Sequence, residues 1–165
     1  MIVLTFLDWV GLVSSALLLV SLILGTIAWL RGIIPALYRL GKGLSKRKIA
    51  IFAKGDNLTG MMNLLEDTKL LSKRNIITIA SDNDLGRGEK ATLFLVHWDD
   101  WENKIEDILD AKKDATALVV YAPRQNSIPP DKFLVLNKHR NVTVTNFRGR
   151  LLNDIIVSLM TTSYQ

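Results

Sequence analysis

The chain has 165 residues, a formal net charge of +5 and a mean hydropathy of +0.20, with 48% hydrophobic and 22% charged residues. A length of this order holds one ordinary domain, which excludes a multidomain enzyme, and the charged fraction excludes a polytopic membrane protein. With no cysteine there is no disulfide framework, thiolate metal site or thiol nucleophile, and His97 and His139 alone cannot complete a zinc centre, so neither a metal nor a cofactor is expected.

From Trp9 to Leu30 no side chain is charged. The apolar run over residues 10–30 would span roughly 30 Å as a helix, the thickness of a bilayer's hydrocarbon core. Trp9 and Trp29 stand at its ends, where aromatic rings favour the headgroup boundary. A cleavable signal peptide would need a basic leader, a shorter core and a small-residue cleavage site, and none is present. Only Asp8 precedes the run, whereas Arg31, Arg39, Lys42, Lys46, Arg47 and Lys48 follow it with no acid among them. The positive-inside rule then predicts a single-pass helix, residues 1–9 outside and the C-terminal part cytoplasmic. The six basic residues are expected to serve lipid headgroups, because residues 49–165 hold as many acids as bases, 15 of each.

Heptad spacing along the run gives Gly11, Ser14, Leu18, Ser21, Gly25, Ala28 and Gly32, small at every position but one. Helix association in lipid depends on close backbone approach at small residues, so this stripe predicts a homo-oligomer. Residues 31–48 mix apolar and basic side chains and are expected to form an interfacial connector, broken near Pro35, frayed by Gly41 and Gly43, and ending in a flexible hinge.

Beyond Lys48 strand and helix patterns alternate five times. Strands are predicted over 48–53, 75–81, 92–98, 115–122 and 141–147. Helices are predicted over 58–71 with Asn57 as N-cap, over 99–112 capped by Asp99 or Asp100, over 130–139 opened by Pro129-Pro130, and over 148–162. Trp101, Ile105, Ile108 and Leu109 fall on one buried stripe of the second helix, and residues 82–90 read as a polar loop. The alternation predicts a cytosolic Rossmann-like, or flavodoxin-like, three-layer α/β/α domain over 49–165 with a mainly parallel five-stranded sheet.

Ligands in such sheets sit outside the carboxyl ends of the strands. Candidate residues there are Gly55 and Asn57 in a strand-to-helix turn, Arg87 between Gly86 and Gly88, Arg124 with Gln125, and Arg148 and Arg150 around Gly149. A turn entering a helix can hold phosphate on its backbone N–H groups, though a capped turn without a ligand gives the same sequence. Two arginines at a helix N-terminus are disfavoured by the dipole unless an anion joins them, or unless they are paired on the surface. Charge is polarised as well: residues 99–114 carry seven acids and three bases, residues 124–150 six bases and one acid. Glu102 in HWDDWE is the best catalytic candidate, weighed against a solvated acidic helix face, and neither histidine has a partner at triad or ligand spacing.

The layout, one small-residue-rich membrane helix followed by a nucleotide-binding-type domain without a catalytic set, resembles the membrane effectors of prokaryotic antiphage signalling. The closing segment VTVTNFRGRLLNDIIVSLMTT, residues 142–162, looks like the last strand and helix of TIR-like or SLOG/STALD-type domains, and the Hailong-type channel effectors, held closed by a DNA oligomer, are similar in size and layout. No glycine-rich SLOG signature is present. The resemblance implies an inner-membrane oligomer, such as a tetramer, whose domain senses a cyclic nucleotide or short oligonucleotide made by a partner nucleotidyltransferase and controls membrane permeability. Glu102 four residues after Trp98 is similar to the setting of the TIR nucleotide hydrolases, which implies a membrane-tethered NAD hydrolase as the enzymatic alternative. A non-enzymatic anchor for a partner protein is a third reading.

Overall fold

A computed structural model describes residues 2–69, 71–124 and 128–162 of the chain. Two compact units are present, Met1–Lys42 and Gly43–Gln165.

Helix α1 runs over Ile2–Ser45. Within it the 27 residues Trp9–Pro35, of mean hydropathy 2.3, are long and apolar enough to cross a membrane. None of them is buried by the chain itself. The break expected near Pro35 and the fraying at Gly41 and Gly43 are corrected: Pro35 lies inside a helix that continues to Ser45. A proline forfeits one backbone hydrogen bond and crowds the preceding turn, which an apolar helix with sound turns on both sides can absorb. The side chains of Asp8, Arg39 and Lys42 lie outside the described residues.

Beyond the end of α1, Arg47 is buried in the second unit, 8% exposed. Its guanidinium donates to the Thr162 hydroxyl at 3.0 Å and the Thr162 carbonyl at 2.7 Å. Thr162 is the C-cap of the last helix, where unsatisfied carbonyls and the negative end of the dipole favour a cation. Arg47, expected to serve lipid headgroups, is therefore a structural residue of the α/β unit.

The sheet is built from β1 (Ile49–Phe52), β2 (Ile76–Ile79), β3 (Leu93–His97), β4 (Ala117–Tyr121) and β5 (Val142–Thr145), all parallel, in the order β2-β1-β3-β4-β5. The central strands read IAIF, LFLVH and ALVVY, buried along nearly their whole length, as strands covered on both faces must be. Helices α2 (Gly55–Asp67) and α6 (Arg148–Thr161) cover one face, placing Met61, Leu65, Leu151, Ile155 and Leu159 against Ile49, Ile51, Leu95 and Val119. The other face carries α3 (Trp98–Trp101), α4 (Ile105–Ala111) and α5 (Pro130–Lys138), with Trp98, Trp101, Ile105, Ile108 and Leu136 on Phe52, Phe94, Leu118 and Val120. The expected three-layer α/β/α architecture is thus present, with an all-parallel sheet.

Local departures have physical causes. Residues 82–90 form a 3-10 helix instead of a loop, seated on the sheet because Gly88 leaves room: a Cβ there would lie 3.1 Å from Ile79 Cδ1 and 3.2 Å from Phe52 Cζ. The helix expected over 99–112 starts at Trp98 and is interrupted by a 3-10 turn at Glu102–Lys104, yet its stripe of Trp101, Ile105, Ile108 and Leu109 is buried as expected.

Replacing Arg47 with Ala removes both bonds to Thr162 and leaves a buried helix end without its cation. Urea unfolding of the full chain in detergent, followed by near-ultraviolet circular dichroism, is expected to show a loss of about 1.5–3 kcal/mol.

Candidate functional site

From β1 the chain crosses to β2 on one side and then returns to β3 on the other, so the strand order reverses between β1 and β3. Such a switch point opens a crevice at the carboxyl ends of the two strands. Its walls are the turn from β1 into α2 and the start of α3.

The turn takes the left-handed backbone conformation that favours glycine at its corner, with φ of +51° at Gly55, and α2 starts there and not after Asn57. The N-cap expected at Asn57 is corrected: Lys54 occupies that position and no side chain caps the helix. Asn57 instead donates from Nδ2 to both oxygens of Asp100, at 3.0 and 3.2 Å, while the Lys54 N–H donates to Asp100 Oδ2 at 2.9 Å. Asp100, expected to cap its own helix, thus closes the crevice from across the switch point, and its carboxylate supplies negative charge to the start of α2. Lys54 leans over the buried Trp101 ring, 5.0 Å from its centroid.

On the side of the sheet covered by α2 and α6, a cleft of about 180 Å³ opens at the same strand ends, bordered by Asp56, Asn57, Gly60, His97, Tyr121 and Arg148. His97 ends β3 with its side chain 6% exposed. Its Nδ1 lies 3.4 Å from Asp100 Oδ2, outside hydrogen-bond geometry, and has no hydrogen-bond partner among the described residues. The Tyr121 ring meets the imidazole edge-on at 5.8 Å. Arg148 reaches in from the first residue of α6, with a single long bond of 3.4 Å to the Gly60 carbonyl. Gly149 behind it is matched to the Phe147 ring, whose Cε1 would be 2.7 Å from an added Cβ.

The four arginines singled out from the sequence are divided by this geometry. Arg87 pairs with Asp84 at 3.3 Å, Arg124 with Asp99 at 3.1 Å, and Arg150 reaches to within 3.9 Å of Asp154. Arg148 has no carboxylate partner among the described residues. Gly55, Asn57 and Arg148 are brought together at the switch point. Arg124 borders a separate cleft of about 570 Å³ between the ends of β4 and β5 and α5, with Phe133, Asn137 and Asn146. Arg87 and Arg150 line neither cleft, and Gln125 lies outside the described residues. Glu102 is exposed at the start of its 3-10 turn and also lines neither. Among the described residues no cluster of three or more His, Asp or Glu side chains could hold a metal.

Sequence reasoning missed His97 and Asp100 as a pair. The signal available was their spacing of three across a strand end, which brings the two side chains to one side when the strand runs directly into a helix.

The acidic 3-10 segment is locally self-satisfied. The Ser81 hydroxyl donates to Asp84 at 2.9 Å, and together with the Arg87 guanidinium this holds the Asp84 carboxyl below the ordinary carboxylate range. A carboxyl lowered in the folded state stabilises it above the unfolded value, and that contribution disappears as pH falls through the lower folded value. Carboxyl carbon NMR of Ser81→Ala is expected to show the Asp84 midpoint moved upward.

Asp100→Ala removes three accepted bonds at once and is expected to lower stability by about 1.5–3 kcal/mol. Asp99→Ala, which loses one exposed pair, should change it by about 1 kcal/mol or less in the same urea unfolding measurement.

No protein-family model, curated protein or solved structure matches this chain.

Proposed function

We propose that the chain is a membrane-embedded, oligomeric effector whose cytosolic α/β domain binds an anionic nucleotide or short oligonucleotide at the switch-point cleft and thereby controls membrane permeability. This is the reading implied by its resemblance to the membrane effectors of antiphage signalling, with Arg148 as the main phosphate contact. The observation that carries it is the contrast among the arginines: Arg87, Arg124 and Arg150 lie within 4 Å of a carboxylate, while Arg148 in the cleft makes no ion pair among the described residues. A guanidinium held at the mouth of a cleft beside a strand-to-helix turn offers paired donors to phosphate.

Two further features support coupling to the membrane. Helix α6 is one rigid element of 14 residues with Arg148 at its first position, and the Thr162 cap at its other end is bonded to Arg47, two residues beyond α1. On α1, Gly25 leaves a notch of about 320 Å³ bordered by Ser21, Leu22, Thr26 and Trp29. A Cβ at Gly11, Gly25 or Gly32 would meet nothing within 4 Å in the single chain, so any packing reason for these glycines lies in a neighbouring helix. Gly11, Ser14, Ser21, Gly25 and Ala28 form the interface in this reading. No observation favours the hydrolase reading, because Glu102 stands outside both clefts.

The test uses liposomes loaded with a self-quenched dye and reconstituted with the full chain, with and without candidate nucleotides. Nucleotide-dependent leakage is expected, and Arg148→Ala should weaken the nucleotide response about tenfold or more, with Lys substituting poorly. Ser21→Leu with Gly25→Leu should leave the helix inserted and reduce the oligomer in detergent. Leakage absent in every condition while NAD is consumed would replace this proposal with the hydrolase.

A further inference from the structure

The polar groups around the switch-point cleft do not all suit a phosphate. Arg148 is a donor with no acidic partner, but Asp56, at the second residue of α2, is a pure acceptor that borders the same space. Asp56 and Arg148 are both exposed at the rim of the cleft; Asp56 makes no hydrogen bond or ion pair among the described residues, and none joins it to Arg148 across the cleft. A bare phosphate or a diester backbone would be drawn by the arginine and repelled by the aspartate. The third group is His97, whose ring is more than nine-tenths buried and borders the cleft, while its unpaired Nδ1 is buried 3.4 Å from Asp100 Oδ2, a residue that does not line the cleft.

A ligand that satisfies the carboxylate must bring hydroxyl or N–H donors close to its phosphate. A sugar phosphate with a free vicinal diol does so: its hydroxyls donate to Asp56 while its phosphate accepts from Arg148, the division of labour by which acidic side chains hold the ribose of dinucleotides in open α/β sheets. Size agrees with this. A volume near 180 Å³ is below the roughly 300–1,000 Å³ of pockets that swallow a whole ligand, so the cleft takes a sugar-phosphate end and leaves a base outside.

We infer that the cleft is specific for a ribose phosphate, with Asp56 reading the sugar hydroxyls and Arg148 the phosphate, so that the signal is a ribonucleotide and not a deoxyribonucleotide. This rests on the reading of the cleft as an anion site. Asp56 also places negative charge at a helix start, which stabilises α2 whatever binds. The test must therefore read selectivity and not stability.

Full-length protein in detergent is titrated calorimetrically with inorganic phosphate, ribose 5-phosphate and 2-deoxyribose 5-phosphate. The wild type should favour ribose 5-phosphate over its deoxy analogue by about threefold or more, since the analogue lacks one hydroxyl donor to Asp56. Asp56→Asn should erase that preference and keep phosphate binding, and Arg148→Ala should weaken all three probes. Equal affinity for the two sugar phosphates, or a preference that survives in Asp56→Asn, overturns the inference while leaving the anion site standing. Absence of binding by every probe overturns both.

Discussion

The carboxylate of Asp100 is the constraint around which the carboxyl ends of the strands are arranged. It links the turn after β1 to the start of α3 through three accepted bonds, and it approaches His97 on the strand between them. A charge in that position competes directly with any phosphate that would approach the Lys54 and Asn57 donors. The turn is thus already provided with an anion, from its own chain, and the space left for a visitor is displaced toward α2 and α6. Arg148, at the end of α6, is the cation that displacement leaves exposed to the cleft.

This arrangement explains why the cleft is mixed in chemistry. Most of the charges at the strand ends are neutralised in pairs, Arg124 with Asp99 and Arg87 with Asp84. The overall polarity that divides residues 99–114 from 124–150 in sequence is therefore partly cancelled in space, and Arg124 with Asp99 is a direct example. What remains is a small set of groups at one place, each without a strong partner and each of a different hydrogen-bonding kind.

Much of the architecture is legible in the sequence because it depends on short-range patterns. The buried run ALVVY, the apolar spacing of α6 and the proline opening α5 carry their own periodicity or backbone restriction, and the stripe of Trp101, Ile105, Ile108 and Leu109 survives even where the helix is interrupted. The site was legible only in part. Arg148 and the Gly55 turn stand at strand ends and can be found there, but Asp100 meets Asn57 across 43 residues and Arg47 meets Thr162 across 115. Such pairings follow from the order in which strands lie side by side, which local composition does not encode. Arg47 illustrates the error that results: counted among basic neighbours it reads as a lipid contact, whereas burial makes it a cap for a helix at the far end of the chain.

The Arg47 clamp also determines how the domain bears load. A pull on the chain at Ser45 would otherwise fall first on β1, the strand through which β2 and β3 are joined, and would shear the sheet at its centre. With the guanidinium fixed to the cap of α6, part of that force passes into a helix lying across the sheet face and is shared by Leu151, Ile155 and Leu159 in the core beneath it. The chain entering β1 and the end of α6 are thereby tied to each other within the α/β unit.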